Sequence, residues 1–145
     1  MGDLTRKERE TSVELSQVEA ADFLAHYLAE VEGQMRERRL EVAEFYPDGD
    51  VPEAEQDSMR LLERKKALLL DLANTLHEHP DALLFGVLKR RLERAQERER
   101  SLAIEAGHSR EMRERYWQAE TEADLLNEVE SRWMGWLRRE SRREG

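Results

Sequence analysis

The sequence predicts an all-α fold, an antiparallel three-helix bundle of long coiled-coil-like helices whose third helix carries a C-terminal amphipathic extension. Three observations lead there. Charged and apolar residues each make up 39% of the 145 residues, with only three prolines and seven glycines, a balance typical of long solvated helices rather than sheets. Apolar residues recur at steps of three, four and seven over most of the chain, the period of one helical face. The strongest of these stripes, Leu61, Leu62, Leu68, Leu69, Leu72 and Leu76 within Glu63 to Leu76 and its approach, is flanked before and after by matching stripes. That places it at the centre of a bundle.

The chain divides into a flexible arm at 1–11 and a single helical-bundle domain at 12–145, with helices at about 13–46, 51–78, 81–106 and 110–143. The arm mixes charges and has no apolar anchor beyond Leu4. Thr11 with Glu14, or Ser16 with Glu19, has capping-box spacing. The first helix then carries Ala21, Leu24, Leu28, Val31, Met35, Val42 and Phe45, with Arg38 interrupting the stripe. Its roughly 30 residues span about 45 Å.

Tyr46 to Asp50, YPDGD, is the clearest break, since proline restricts the residue before it and Asp-Gly favours a tight turn. Asp50, Pro52 and Glu53 supply an N-cap, a first-turn proline and a helix-start carboxylate for the second helix. His79, Pro80 and Asp81 form the next boundary. The third helix opens on Asp81 and places Phe85, Leu88, Leu92, Ala95, Leu102 and Ala106 on one face. Glu93, Glu97 and Glu99 interleave with its arginines as a solvated surface. Gly107, His108 and Ser109 weaken the helix without a proline to stop it, so a kink and a true end are both open. The last segment carries all three tryptophans on a strongly amphipathic stretch that either closes the bundle or faces a partner.

Composition also bounds function. A net charge of −9 and a pI near 5.1 argue against nucleic acid, which needs a clustered positive field. The clusters Arg36, Arg38, Arg39 and Lys89, Arg90, Arg91 alternate with glutamates and lack interleaved aromatics. No cysteine is present, so there is no disulfide framework, thiol nucleophile or thiolate metal site. The apolar runs are short, as at Ala67 to Leu70, and the N-terminus MGDLTRKERE has no apolar signal region, which gives a cytoplasmic reading without membrane insertion.

No residue set announces a reaction, and the expectation is a protein with no catalytic site, cofactor or metal. Glu105 and His108 make one Glu-x-x-His step where di-iron bundles use two with two further glutamates. His77 and His79 are two apart and point to different sides of a helix, so helix-end imidazoles account for them. His26, among Phe23, Leu24, Tyr27 and Leu28 and four residues after Asp22, reads as a buried or half-buried helix histidine without a nucleophile to serve. The aromatic tail is the remaining candidate. Tyr116, Trp117, Leu125, Leu126, Val129, Trp133, Trp136 and Leu137 are the partner-binding set, because tryptophan and tyrosine concentrate in interface hot spots. Replacing Trp133 and Trp136 by Ala is expected to abolish partner binding with the bundle still folded.

At Glu63 to Leu72 the segment ERKKALLLDL resembles the second-helix signature of the FlgN-type flagellar export chaperones, with Glu63, Lys65, Leu68, Leu69 and Leu72 in the matching places. RSLAIEAGHSREM, from Arg100 to Met112, is similar to that family's third helix around Ala103, Ile104 and Glu105. Asparagines common ahead of that step in the family are replaced here by Glu97 and Arg100, and the tail is tryptophan-bearing where the family's is polar. The resemblance covers roughly residues 16–118. It implies an ATP-independent cytoplasmic chaperone that holds the C-terminal segment of hook–filament junction proteins and delivers them to the type III export gate. The alternative is a self-associating structural coiled coil or adaptor without a client.

Overall fold

The structure, a computed structural model, describes the backbone of residues 6–104, 107 and 109–144 and the side chains of 17–104, 107 and 109–140. Four helices form: α1 Arg6–Phe45, α2 Glu53–Glu78, α3 Leu84–Ala103 and α4 Arg110–Glu144. The all-α expectation holds, but the single third helix with an extension is instead two separate helices, so a three-helix bundle does not describe the chain. Contacts group the chain into two compact units, Met1–Asp81 and Ala82–Gly145. The two differ in charge: the first has ten basic against twenty acidic residues, net −10, and the second fourteen against thirteen, net +1.

In the first unit α2 packs along α1. Helix α1 begins at Arg6, ahead of the capping boxes at Thr11 and Ser16, and takes in much of the arm expected at 1–11. Arg, Lys and Glu at 6–10 are good helix formers and carry it. Its buried face is Ala20, Phe23, Leu24, Tyr27, Val31 and Met35, one helical stripe turned slightly from the expected one. Ala21 is therefore exposed, Leu28 half-buried and Phe45, past the packed region, 68% exposed.

The YPDG turn forms as read. The Gly49 amide donates to the Tyr46 carbonyl at 3.1 Å, with Gly49 at φ +86°, where a side chain would strain the backbone. Asp50 does not cap α2. Pro52 holds the N-cap position without a side-chain hydrogen bond, its carbonyl accepting from the amides of Glu55 and Gln56 at 3.0 and 3.1 Å. The Gln56 side chain instead ties the loop, donating to the Val51 carbonyl at 2.9 Å. Leu69 and Leu72 are buried. Leu62, Leu68 and Leu76 are half-buried, and Leu61 is 41% exposed. Between the helices the pairs run in order: Lys65 stands 5.9 Å over the Tyr27 ring, Lys66 pairs with Glu32 at 3.6 Å, and Arg38 with Glu55 at 3.1 Å.

In the second unit α3 packs along α4. Asp81 does not open α3. Leu83, in extended conformation, precedes Leu84, which starts the helix. The extra residues 79–83 turn the chain first, because Pro80 stands just past the His79 C-cap of α2 rather than inside a new helix. The buried face is Leu84, Val87, Leu88 and Ala95. Phe85 falls on the outer side, 41% exposed, with the Lys89 ammonium 5.3 Å over its ring. Ala106 lies outside the described residues. Helix α4 buries a wider arc: Ala119, Ala123, Leu126 and Trp133 along one line, and Thr121, Leu125 and Val129 beside it. Each large apolar side chain so buried contributes about 1.5–3 kcal/mol.

Candidate functional site

The residues around Gly107 decide where a site forms in the second unit. Helix α3 stops at Ala103, so the glycine region is a true end rather than a kink. Ser109 then starts α4, its Oγ accepting from the Met112 amide at 3.1 Å, the reach of an N-cap hydroxyl to the third helical amide.

The separation of α3 from α4 leaves a groove of about 410 Å³ lined by Gln96, Glu99, Arg100 and Ala103 of α3 and Tyr116 of α4. Arg100 is fixed at its base, Nε donating to the Gln96 carbonyl at 3.4 Å, which leaves the guanidinium end as a planar donor at the groove. A half-buried carboxylate, Glu99, a half-buried phenol, Tyr116, and the methyl of Ala103 complete it. Such a set suits an amphipathic peptide side chain, with an aromatic wall for its apolar part and one donor and one acceptor for its tip. Ile104, 82% exposed, and Trp117, 48% exposed, are adjacent in the chain to groove residues. The sequence had marked Ala103, Ile104 and Tyr116 by separate arguments. Gln96, Glu99 and Arg100 had no partner-binding signal of their own, since charge alternation on α3 reads as a solvated face.

The eight residues expected to bind a partner do not form one surface. Leu125, Leu126, Val129 and Trp133 are buried, at 6, 0, 0 and 4% exposure, and Trp136 and Leu137 are half-buried. The heptad-like spacing of Leu126, Val129, Trp133 and Leu137 carries them along the packed seam, and only Trp117 stands well out. Trp133 is buried at 4% exposure, so Trp133→Ala is expected to cost stability in α4 besides any effect on binding.

The residues that carry the FlgN-type resemblance on α2 are mostly packing residues. Leu69 and Leu72 are 1 and 0% exposed, Leu68 is half-buried and Glu63 exposed, and Lys65 stands over Tyr27. Ala103 ends α3, and Glu105 lies outside the described residues.

Of the other candidates, His26, expected to be buried or half-buried, is exposed because its position falls on the outer face of α1. His77 and His79 are exposed at the end of α2. The Glu105 and His108 step lies outside the described residues. Among the described residues no group of three or more His, Asp or Glu side chains is placed to hold a metal ion. In the arginine clusters Arg38 is engaged by Glu55 and Lys89 by Phe85. No family model, no curated protein and no solved structure matches the chain.

Proposed function

We propose that the chain is a non-catalytic holding protein that binds an extended or helical segment of a client, and that its client class is the one the FlgN-type resemblance implies: the C-terminal segment of flagellar hook–filament junction proteins, held without ATP in the cytoplasm and passed to the type III export apparatus. The observation that carries this reading is the groove between the end of α3 and the start of α4, where Arg100 and Tyr116 converge beside exposed Ile104 and Trp117. An export client must be kept soluble without being folded, and a shallow groove that takes side chains by their apolar faces does that. Consistent with a role away from the bilayer core, none of the described helices is long and apolar enough to cross a membrane.

The test is fluorescence anisotropy with a labelled peptide of a junction protein's C-terminal segment and the full chain. Tyr116→Ala and Arg100→Ala should each weaken binding by about tenfold, the loss typical of a hot-spot residue, with helical circular dichroism unchanged. Wild-type affinity in both variants removes the groove from the reading. Failure of any junction-protein peptide to bind removes the flagellar client.

A second reading, a self-associating coiled coil without a client, is favoured by Leu40 and Phe45, exposed at 71 and 68% near the end of α1. Sedimentation equilibrium separates the two: a stable oligomer that dissociates on Leu40→Gln supports self-association.

A further inference from the structure

We infer that Asp48 is a modification site, at which the main chain isomerises through a succinimide to isoaspartate in the turn between α1 and α2. The chemistry needs an aspartate whose side chain reaches the next main-chain nitrogen, a following residue that does not obstruct the approach, and water. An aspartate side chain reaches the backbone amides beside it readily, and among the eight aspartates only Asp48 precedes glycine. Asp48 and Gly49 are both exposed, and among the described residues no hydrogen bond or ion pair holds the Asp48 carboxylate. A Cβ built on Gly49 meets nothing within 4 Å, so a ring has open space in which to close. The restraint on the Gly49 nitrogen is its bond to the Tyr46 carbonyl at 3.1 Å. In an exposed turn such a bond opens locally at low free energy.

The other aspartates lack this combination. Asp22, Asp57, Asp71 and Asp124 lie within helices, where the next amide is donated along the helix, and Phe23, Ser58, Leu72 and Leu125 follow them. Asp57 is also paired with Arg60 at 3.2 Å. Asp50 stands in the same loop but precedes β-branched Val51, whose amide donates to the Gly49 carbonyl at 3.0 Å. Asp81 precedes Ala82, which carries a methyl, and Asp3 lies outside the described residues. In the opened turn the Gly49 nitrogen attacks Cγ of Asp48. The N–Cγ bond forms as the nitrogen gives up its proton and the carboxyl its hydroxyl, so one water leaves and a five-membered succinimide remains. Water then adds at either imide carbonyl. Cleavage of the N–Cγ bond restores aspartate. Cleavage at the main-chain carbonyl leaves the chain running through Cγ, with the former main-chain carbonyl as a free carboxylate. No electrons are exchanged, and mass and charge are unchanged. The isomer adds a methylene to the connection that the bond from Gly49 to Tyr46 closes. This site is independent of the groove in the second unit.

The experiment ages the full chain in warm neutral buffer and counts isoaspartate by labelled methyl transfer from S-adenosylmethionine with a protein-isoaspartate methyltransferase. Fragmentation mass spectrometry of the tryptic peptide 40–60 then places the isomer, with Asp50 and Asp57 in the same peptide as internal comparisons. Label should rise with ageing time and map to residue 48. Asp48→Glu, which would have to close a six-membered ring, should remove that label with helical circular dichroism unchanged. Asp48→Asn, whose side chain loses ammonia more readily than a carboxyl loses water, should raise the label several-fold and release ammonia. Label that fails to rise, that is shared equally with Asp50 and Asp57, or that persists in Asp48→Glu would overturn the inference. So would an Asp48→Asn chain that ages no faster than the wild type, since the closed turn would then be what governs the Gly49 nitrogen.

Discussion

Helices α1 and α2 are joined by a turn whose residues each have a visible task, with proline restricting Tyr46, Gly49 at φ +86° and Gln56 tying Val51. Between α3 and α4, the Ser109 side chain caps the start of α4. The two hairpins also keep together differently. In the first, α2 buries only Leu69 and Leu72, and polar pairs from Tyr27 to Glu55 complete the contact along its length. In the second, α4 buries six apolar residues and Thr121 among its described residues, and the pair of Arg98 with Glu122 at 3.2 Å is exposed at its edge. In the second hairpin α4 therefore supplies the wider buried face, while in the first most of the buried apolar residues lie on α1 and α2 contributes fewer.

The sharpest way to break that comparison is truncation in α4. Leu126→Ala and Trp133→Ala remove side chains at 0 and 4% exposure and should each cost about 2–5 kcal/mol in urea unfolding. Phe45→Ala in α1, at 68% exposure, should stay within about 0.5 kcal/mol. A small loss at Trp133 would mean that α4 is not held by its seam, and would return Trp133 to the candidate partner surface.

These positions also show how far the residues could be read in advance. The helical class, the YPDG turn and the leucines at 69 and 72 follow from spacing and turn chemistry, which are local. The misplaced features depend on tertiary packing or on competition between neighbouring signals. Asp50 and Asp81 have the chemistry of N-caps, but Pro52 and Leu83 take those positions. On α1 the exposed apolar residues Val18 and Leu40 lie off the buried face, so apolar spacing alone could not tell Phe23 and Tyr27, which are buried, from Ala21 and Phe45, which are not. Spacing leaves the tryptophans of α4 open between core and interface because aromatics serve both, and only the packing decides between them. The groove has no signature in the sequence: it needs two helices whose juxtaposition no local rule supplies.

The connections give the next test, since glycine does different work in the two. At Gly49 an added Cβ meets nothing within 4 Å, so Gly49→Ala should cost about 1–2 kcal/mol from the left-handed backbone alone. Gly107 also has open space around a Cβ but does not adopt a positive φ. Gly107→Ala should therefore be neutral or stabilise by up to about 1 kcal/mol by restricting the unfolded chain. Thermal denaturation of both variants reads the difference, and a comparable loss at Gly107 would show that the second connection is as constrained as the first. Ser109→Ala falls between them, at about 1 kcal/mol for a lost cap.

The smallest effect concerns the polar pairs. Arg38 and Glu55 retain side-chain exposures of 39 and 30%, and Arg98 and Glu122 retain 60 and 39%, so solvent screens the second pair more. Double-mutant cycles to Ala should give coupling of about 0.5–1 kcal/mol for the first and about 0–0.5 kcal/mol for the second. Both should shrink in high salt, the second to nothing measurable. The ordering is what matters: because α2 buries so little apolar surface, the Arg38 pair has a larger share in holding the first hairpin, whereas packing along α4 holds the second with or without Arg98. A larger coupling at Arg98 than at Arg38 would reverse that division of labour, and with it the view that the first hairpin depends on its polar contacts.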